Sequence, residues 1–225
     1  MLGRLSLRDR LLSLAALLAL LLWLTVRAVP ATAFYERFLP WIVARGVGIA
    51  ALTLLAVLVS VGILLSHPVN RTVWRQSREL LIWHRYLSVF VFCLIAVHVS
   101  AILLDRFARV DIVGALVPGL SGYRAIPVAL GTLALYAAIL TAATAAYAQK
   151  LPAKLWLQIH RLGLLVFAAA WLHGILAGSD SPALRTLYVG SAVLVALSAA
   201  TRYWLDLPRP RPVARTPAQR EDTTA

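Results

Sequence analysis

A single cysteine, Cys93, stands among 225 residues, so no intramolecular disulfide can form and no cysteine cluster can hold zinc or iron–sulfur. The chain also has no Cys-x-x-Cys-His run, which excludes covalent c-type haem attachment. Acidic residues are scarce, nine against 22 Lys and Arg, giving a formal charge of +13. That excess does not call for nucleic acid, because no basic face is interleaved with aromatic residues for base stacking. Charged residues of both signs make up only 14% of the chain, whereas apolar ones make up 61%, at a mean hydropathy of +0.81. A soluble domain of this length has too little interior for so much apolar surface, so the composition defines a polytopic membrane protein.

Apolar runs and breakers predict an all-α bundle of six transmembrane helices, near 5–26, 41–65, 80–104, 125–148, 155–177 and 184–205. The domain is expected to cover 1–205, with a Pro- and Arg-rich disordered tail at 206–225. The first run follows Arg4, Arg8 and Arg10; an alternative makes it a signal peptide cleaved near Ala31-Thr32-Ala33. A loop with Pro30, Glu36, Arg37 and Pro40 is expected before the second helix, putting Arg45 in its first turn, free to snorkel to the interface. Residues 105–124 form the longest expected loop, and 149–154 a short basic turn. Basic residues outside the apolar runs gather on the side that holds both termini, which are therefore expected in the cytoplasm.

Four histidines sit inside two of these runs: His84 and His98 in the third helix, His160 and His173 in the fifth. Ionisable side chains are costly in a bilayer, so this is a functional signal. Separations of 14 and 13 residues span about 20 Å at 1.5 Å per residue, against a hydrocarbon core of roughly 30 Å. Both helices run outward, so His84 and His160 share a cytoplasmic level while His98 and His173 share an outer one. One buried histidine is more often bonded to a backbone carbonyl than to a metal. Four matched in depth are harder to explain so, since each costs on the order of a few kcal/mol to bury without a strong partner. Zinc would need three or four ligands at one point. Haem iron needs only two opposed imidazoles, and bundle cores commonly house such cofactors. Two b-type haems between helices three and five satisfy the pattern.

The other candidates are less specific. Arg85 and Arg161 each follow an inner histidine, and either snorkel or pair with haem propionates. His67, beside Pro68, reads as a solvated loop residue. Asp105, Asp111 and Asp180 lie on the outer side, either as solvated carboxylates or as a site for a cationic acceptor. Phe90, Phe92, Phe167 and Trp171 fall between the two levels and read first as packing, second as a path for electrons. One feature strains the scheme. Fourteen residues return within about 40° of the starting face, but 13 fall about 140° off it. A straight fifth helix therefore misaims one ring, and irregularity near Gly163 or Gly174, or tilt, is expected.

With His84-x13-His98 on one helix and His160-x12-His173 on another, residues 41–205 resemble the ferric reductase-like transmembrane domain. That superfamily includes the membrane halves of NADPH oxidases and ferric reductases, and the haem-binding subunit of the periplasmic methionine sulfoxide reductase system. The resemblance implies two b haems, with His84 and His160 ligating the inner one and His98 and His173 the outer one. It also implies electrons moving from a cytoplasmic flavin to an outer acceptor. Two departures stand out. No glycine-rich dinucleotide fingerprint occurs here, so FMN or FAD would reside on a partner. His84 is present, although the small sulfoxide reductase subunit usually lacks an inner histidine on that helix.

The expected function is thus electron transfer across a bacterial inner membrane, as an oxidoreductase component. The donor would be a separate cytoplasmic flavoprotein reductase or the quinol pool. A first rival is a haem subunit dedicated to one periplasmic reductase, docked on the loop 105–124. A second is a haem-free, proton-coupled transporter or scaffold.

Overall fold

The computed structural model describes residues 16, 20, 33–66, 77–179 and 181–203. Most of the expected first helix, and with it Ala31, Thr32, His67, Asp180 and the tail 206–225, lies outside the described residues.

Among the described residues every regular element is helical. In chain order they are α1 (Ala33–Leu65), α2 (Ser77–Leu104), α3 (Ile112–Leu116), α4 (Ala125–Ala146), α5 (Ala153–His160), α6 (Gly163–Ala177) and α7 (Arg185–Tyr203). Among the described residues four stretches are long and apolar enough to cross a membrane: Arg37–Leu65, Glu79–Leu104, Ala125–Ala146 and, taken through its turn, Ala153–Ala177. Helix α7 has arginines at 185 and 202 near its ends, which shorten its apolar part.

Several boundaries differ from the sequence reading. Helix α1 begins at Ala33 and takes Pro40 inside it, where a loop up to residue 40 was expected. The missing proline N–H costs one hydrogen bond in the second and third turns, while the long apolar run beyond it supplies the burial that holds the helix. Arg45 consequently lies well within α1, not in its first turn. The stretch 105–124 is not all loop, since it contains α3. Asp111 caps α3, accepting the Gly114 N–H at 2.8 Å. Thr132 Oγ1 donates to the Ala115 carbonyl at 2.8 Å, and Tyr136 donates to that of Leu116, which pins α3 onto α4. At 149–154 the expected basic turn is partly a 3-10 turn, Ala148–Lys150.

Packing follows two pairs. Helix α1 lies along α2, and α4 lies along α6; α1 also meets α7 and α6. Leu52, Leu55, Ala56, Val91, Ala138, Val166, Phe167, Tyr188 and Val195 form the buried mid-bundle core. Phe92 and Trp171 pack against that core, and Trp171 Nε1 donates to the Tyr188 carbonyl at 2.9 Å. Their packing role is therefore explicit. At the far end, the Arg124 guanidinium donates to the Leu176 carbonyl at 2.7 Å and the Tyr123 hydroxyl to that of Ala177 at 3.2 Å. These bonds satisfy orphan carbonyls at the end of α6. Arg124 holds a left-handed backbone (φ 43°) to do so.

Candidate cofactor site between paired histidines

The bundle encloses an elongated cavity of about 2120 Å³ that all four histidines line. That volume exceeds the roughly 300–1,000 Å³ of a typical single small-ligand site. The histidine helices α2 and α6 pack chiefly against α1 and α4 and hardly against each other, which leaves the space between them.

Across that space the rings meet in pairs. His84 and His160 stand 6.0 Å apart, centre to centre, at an interplanar angle of 70°. His98 and His173 stand 6.2 Å apart at 86°. The pairing is the one the depths in the sequence suggested, and no other helix intervenes between the rings.

How 13 residues achieve what 14 do on α2 is visible in the backbone. Helix α5 stops at His160, and Arg161 and Leu162 form a turn before α6 starts at Gly163. There the Leu162 N–H donates to the Ile159 carbonyl and the Leu164 N–H to that of Arg161, both three residues back. Three-residue turns rotate the chain by about 120° per residue where an α-helix gives about 100°. The tightening recovers part of the 140° deficit, and the change of helix at the turn supplies a place to bend. The expected irregularity lies immediately before Gly163; around Gly174 the helix continues unbroken.

Backbone carbonyls face the Nδ1 atoms. His98 Nδ1 lies 2.7 Å from the Ala44 oxygen, His173 Nδ1 2.8 Å from that of Pro127, and His160 Nδ1 3.5 Å from that of Thr141. A carbonyl can only accept, so in the two short contacts Nδ1 carries the proton and Nε2 keeps its lone pair. This is the tautomer of a histidine that ligates through Nε2, with its other nitrogen held by a carbonyl. His84 Nδ1 is buried without a hydrogen-bond partner.

The spacing can be tested against a metal ion. Imidazole nitrogen binds a metal at roughly 2.0–2.1 Å and lies about 1.2 Å from its ring centre, so two imidazoles on opposite sides of one ion stand about 6.4 Å apart. Both observed pairs fall close to this. No group of three or more His, Cys, Asp or Glu side chains converges among the described residues. The donor set is therefore two nitrogens per level, which suits an equatorially ligated iron such as haem and not a structural zinc.

Four arginines line the same cavity. Arg85 and Arg161, the expected pair, are exposed beside His84 and His160. Arg45 and Arg202 also line it and were not singled out from sequence as site residues. Arg202 Nε donates to the Ser66 carbonyl at 3.0 Å, near the His84 end, while Arg45 follows the Ala44 carbonyl that His98 contacts. Of the outer carboxylates, Asp180 lies outside the described residues, and Asp111 caps α3. Asp105 is 4% exposed and accepts the N–H groups of Phe107 and Ala108, so it is a turn cap and not solvated.

Glycines are what the sequence reading missed. A Cβ on Gly48 would lie 2.8 Å from His98 Nδ1, one on Gly131 2.8 Å from His173 Nδ1, and one on Gly62 3.2 Å from His84 Cε1. The signal was present: Gly48 and Gly62 are 14 residues apart, as are His84 and His98.

A family model, ferric reductase like transmembrane component, matches residues 47–176, more than half of the chain. The chain belongs to that family. Comparison with curated proteins and with solved structures finds no match for it.

Proposed function

We propose that this protein carries electrons across a bacterial inner membrane, with His84 and His160 holding one haem b and His98 and His173 a second. The observation that carries this reading is the meeting of two imidazole pairs at 6.0 and 6.2 Å across one cavity, in a chain of the ferric reductase-like family. Haem supplies reversible one-electron chemistry when bound. The chain's own residues do the rest. The Ala44 and Pro127 carbonyls orient the outer imidazoles, and the apolar core at Leu55, Val91, Val166 and Phe167 keeps water out between the levels. Arg85 and Arg161, which line the cavity, would pair with propionate carboxylates at the His84 end.

In this reading both termini face the cytoplasm, and a separate flavoprotein, carrying FMN or FAD, or the quinol pool delivers electrons there. The acceptor lies on the outer side, beyond His98 and His173. Protein purified from haem-replete cells should carry about two non-covalent b haems per chain, the number the paired ligands imply. A haem-free preparation that still supports proton-coupled flux would overturn the proposal in favour of a transporter.

A further inference from the structure

The contacts around the two outer histidines repeat one arrangement. His98 meets the Ala44 carbonyl, and Gly48 follows four residues later. His173 meets the Pro127 carbonyl, and Gly131 follows four residues later. At the inner level Gly62 also faces His84, whose Nδ1 is buried without a hydrogen-bond partner. His160 faces the Thr141 carbonyl, and the residue four later is Ala145. That contact is 3.5 Å, against 2.7 and 2.8 Å where a glycine stands.

The cause is elementary helix geometry. Each Cα–Cβ bond tilts toward the helix N-terminus, so a side chain covers the turn before its own Cα. The carbonyl of residue i is therefore shielded by whatever residue i+4 carries. Glycine, with no Cβ, leaves it most open to an incoming ring, and the carbonyl then accepts a second hydrogen bond beside its helical one. The facing helices even keep register. Gly48 and Gly62 are 14 apart opposite His98 and His84, which run the other way along α2. Positions 131 and 145 are also 14 apart, opposite His173 and His160.

We infer that Gly48 and Gly131 are positioning residues: each keeps open the carbonyl four residues earlier, so that it can fix the proton on Nδ1 of the facing histidine and leave Nε2 as the ligand. The inference deepens the haem proposal and rests on it for its purpose, but not for its geometry. Gly46 is a control on the same helix, since a Cβ there meets nothing within 4 Å.

The test is 15N spectroscopy of histidine-labelled, haem-free protein in bilayers, which separates the two imidazole tautomers. Wild type should show His98 and His173 with the proton on Nδ1. Gly48→Ala should shift or split the His98 signal alone, Gly131→Ala that of His173 alone, and Gly46→Ala neither. Ala145→Gly, which adds no bulk, should increase the Nδ1-protonated population of His160. Equal spectra for Gly48→Ala and Gly46→Ala, or no response of His160 to Ala145→Gly, would overturn the inference. In loaded protein the same Gly48→Ala change should raise the midpoint potential of one haem and leave the other unmoved, because a weaker Nδ1 bond makes the ligand less basic. A loss of occupancy with an unchanged potential in the remaining haem would mark mere packing and also overturn it. Should the wild type bind no haem, the function proposed above fails, while the tautomer measurement still decides this inference.

Discussion

The ring of His98 lies 6.2 Å from the ring of His173, although their helices hardly touch each other. In the proposed function the two rings are the facing walls of one site. Replacing either ring should give the same result. His98→Ala or His173→Ala should lower the haem count from about two to about one per chain, and the double variant should lose no more than either single one. Haem extraction and counting by the pyridine method reads this directly. Independent losses from the two variants would show that the rings serve different sites.

At the other level, Arg85 and Arg161 are exposed where they line the cavity beside His84 and His160. A hydrogen bond to a charged group contributes roughly 1.5–3 kcal/mol, about ten- to a hundredfold in affinity. Replacing both arginines by Ala should weaken binding of one haem by about tenfold or more and spare the other. Haem titration of stripped protein measures it. Equal weakening of both would place the arginines outside any one site.

Arg124 adopts a left-handed backbone so that its guanidinium can reach the Leu176 carbonyl at 2.7 Å. Arg124→Ala keeps the strain and loses the bond, and should cost about 1–2 kcal/mol. Arg124→Gly relieves the strain and should recover about 1 kcal/mol of that loss. Thermal unfolding in detergent separates the two variants, and Ala more stable than Gly would contradict the backbone argument.

Asp105 is buried and accepts two backbone N–H groups, at 3.1 and 2.6 Å. Asp105→Ala leaves both donors unsatisfied and should destabilise the chain by about 1–3 kcal/mol. Haem stoichiometry in the folded fraction should stay unchanged. A variant that folds well but loses a haem would mean that the carboxylate acts at the site.

Much of the site was legible because depth in a membrane is nearly a count of residues. At 1.5 Å per residue, 84 and 98, or 160 and 173, can be placed along the bilayer normal without a structure. Direction around a helix is harder, since each residue adds about 100° and one local turn resets the sum. That is why the irregularity at Arg161–Leu162 could be narrowed only to the neighbourhood of Gly163 or Gly174. The start of α1 was missed for another reason: Pro40 reads as a breaker, yet near a helix start its cost is one hydrogen bond. The anchoring of α3 depends on contacts to Thr132 and Tyr136 from residues 115 and 116, which no local pattern reveals. The glycines were overlooked because their partners lie on other helices, 42 to 50 positions away for His173 and His98.

An optical redox titration of membranes containing the protein tests the central claim most directly, since it registers the cofactors in place and orders their potentials. Two b-type transitions of comparable amplitude are predicted, one of which disappears in His98→Ala while the other remains. A membrane fraction rich in the protein but without any reducible b-type absorbance would contradict the account.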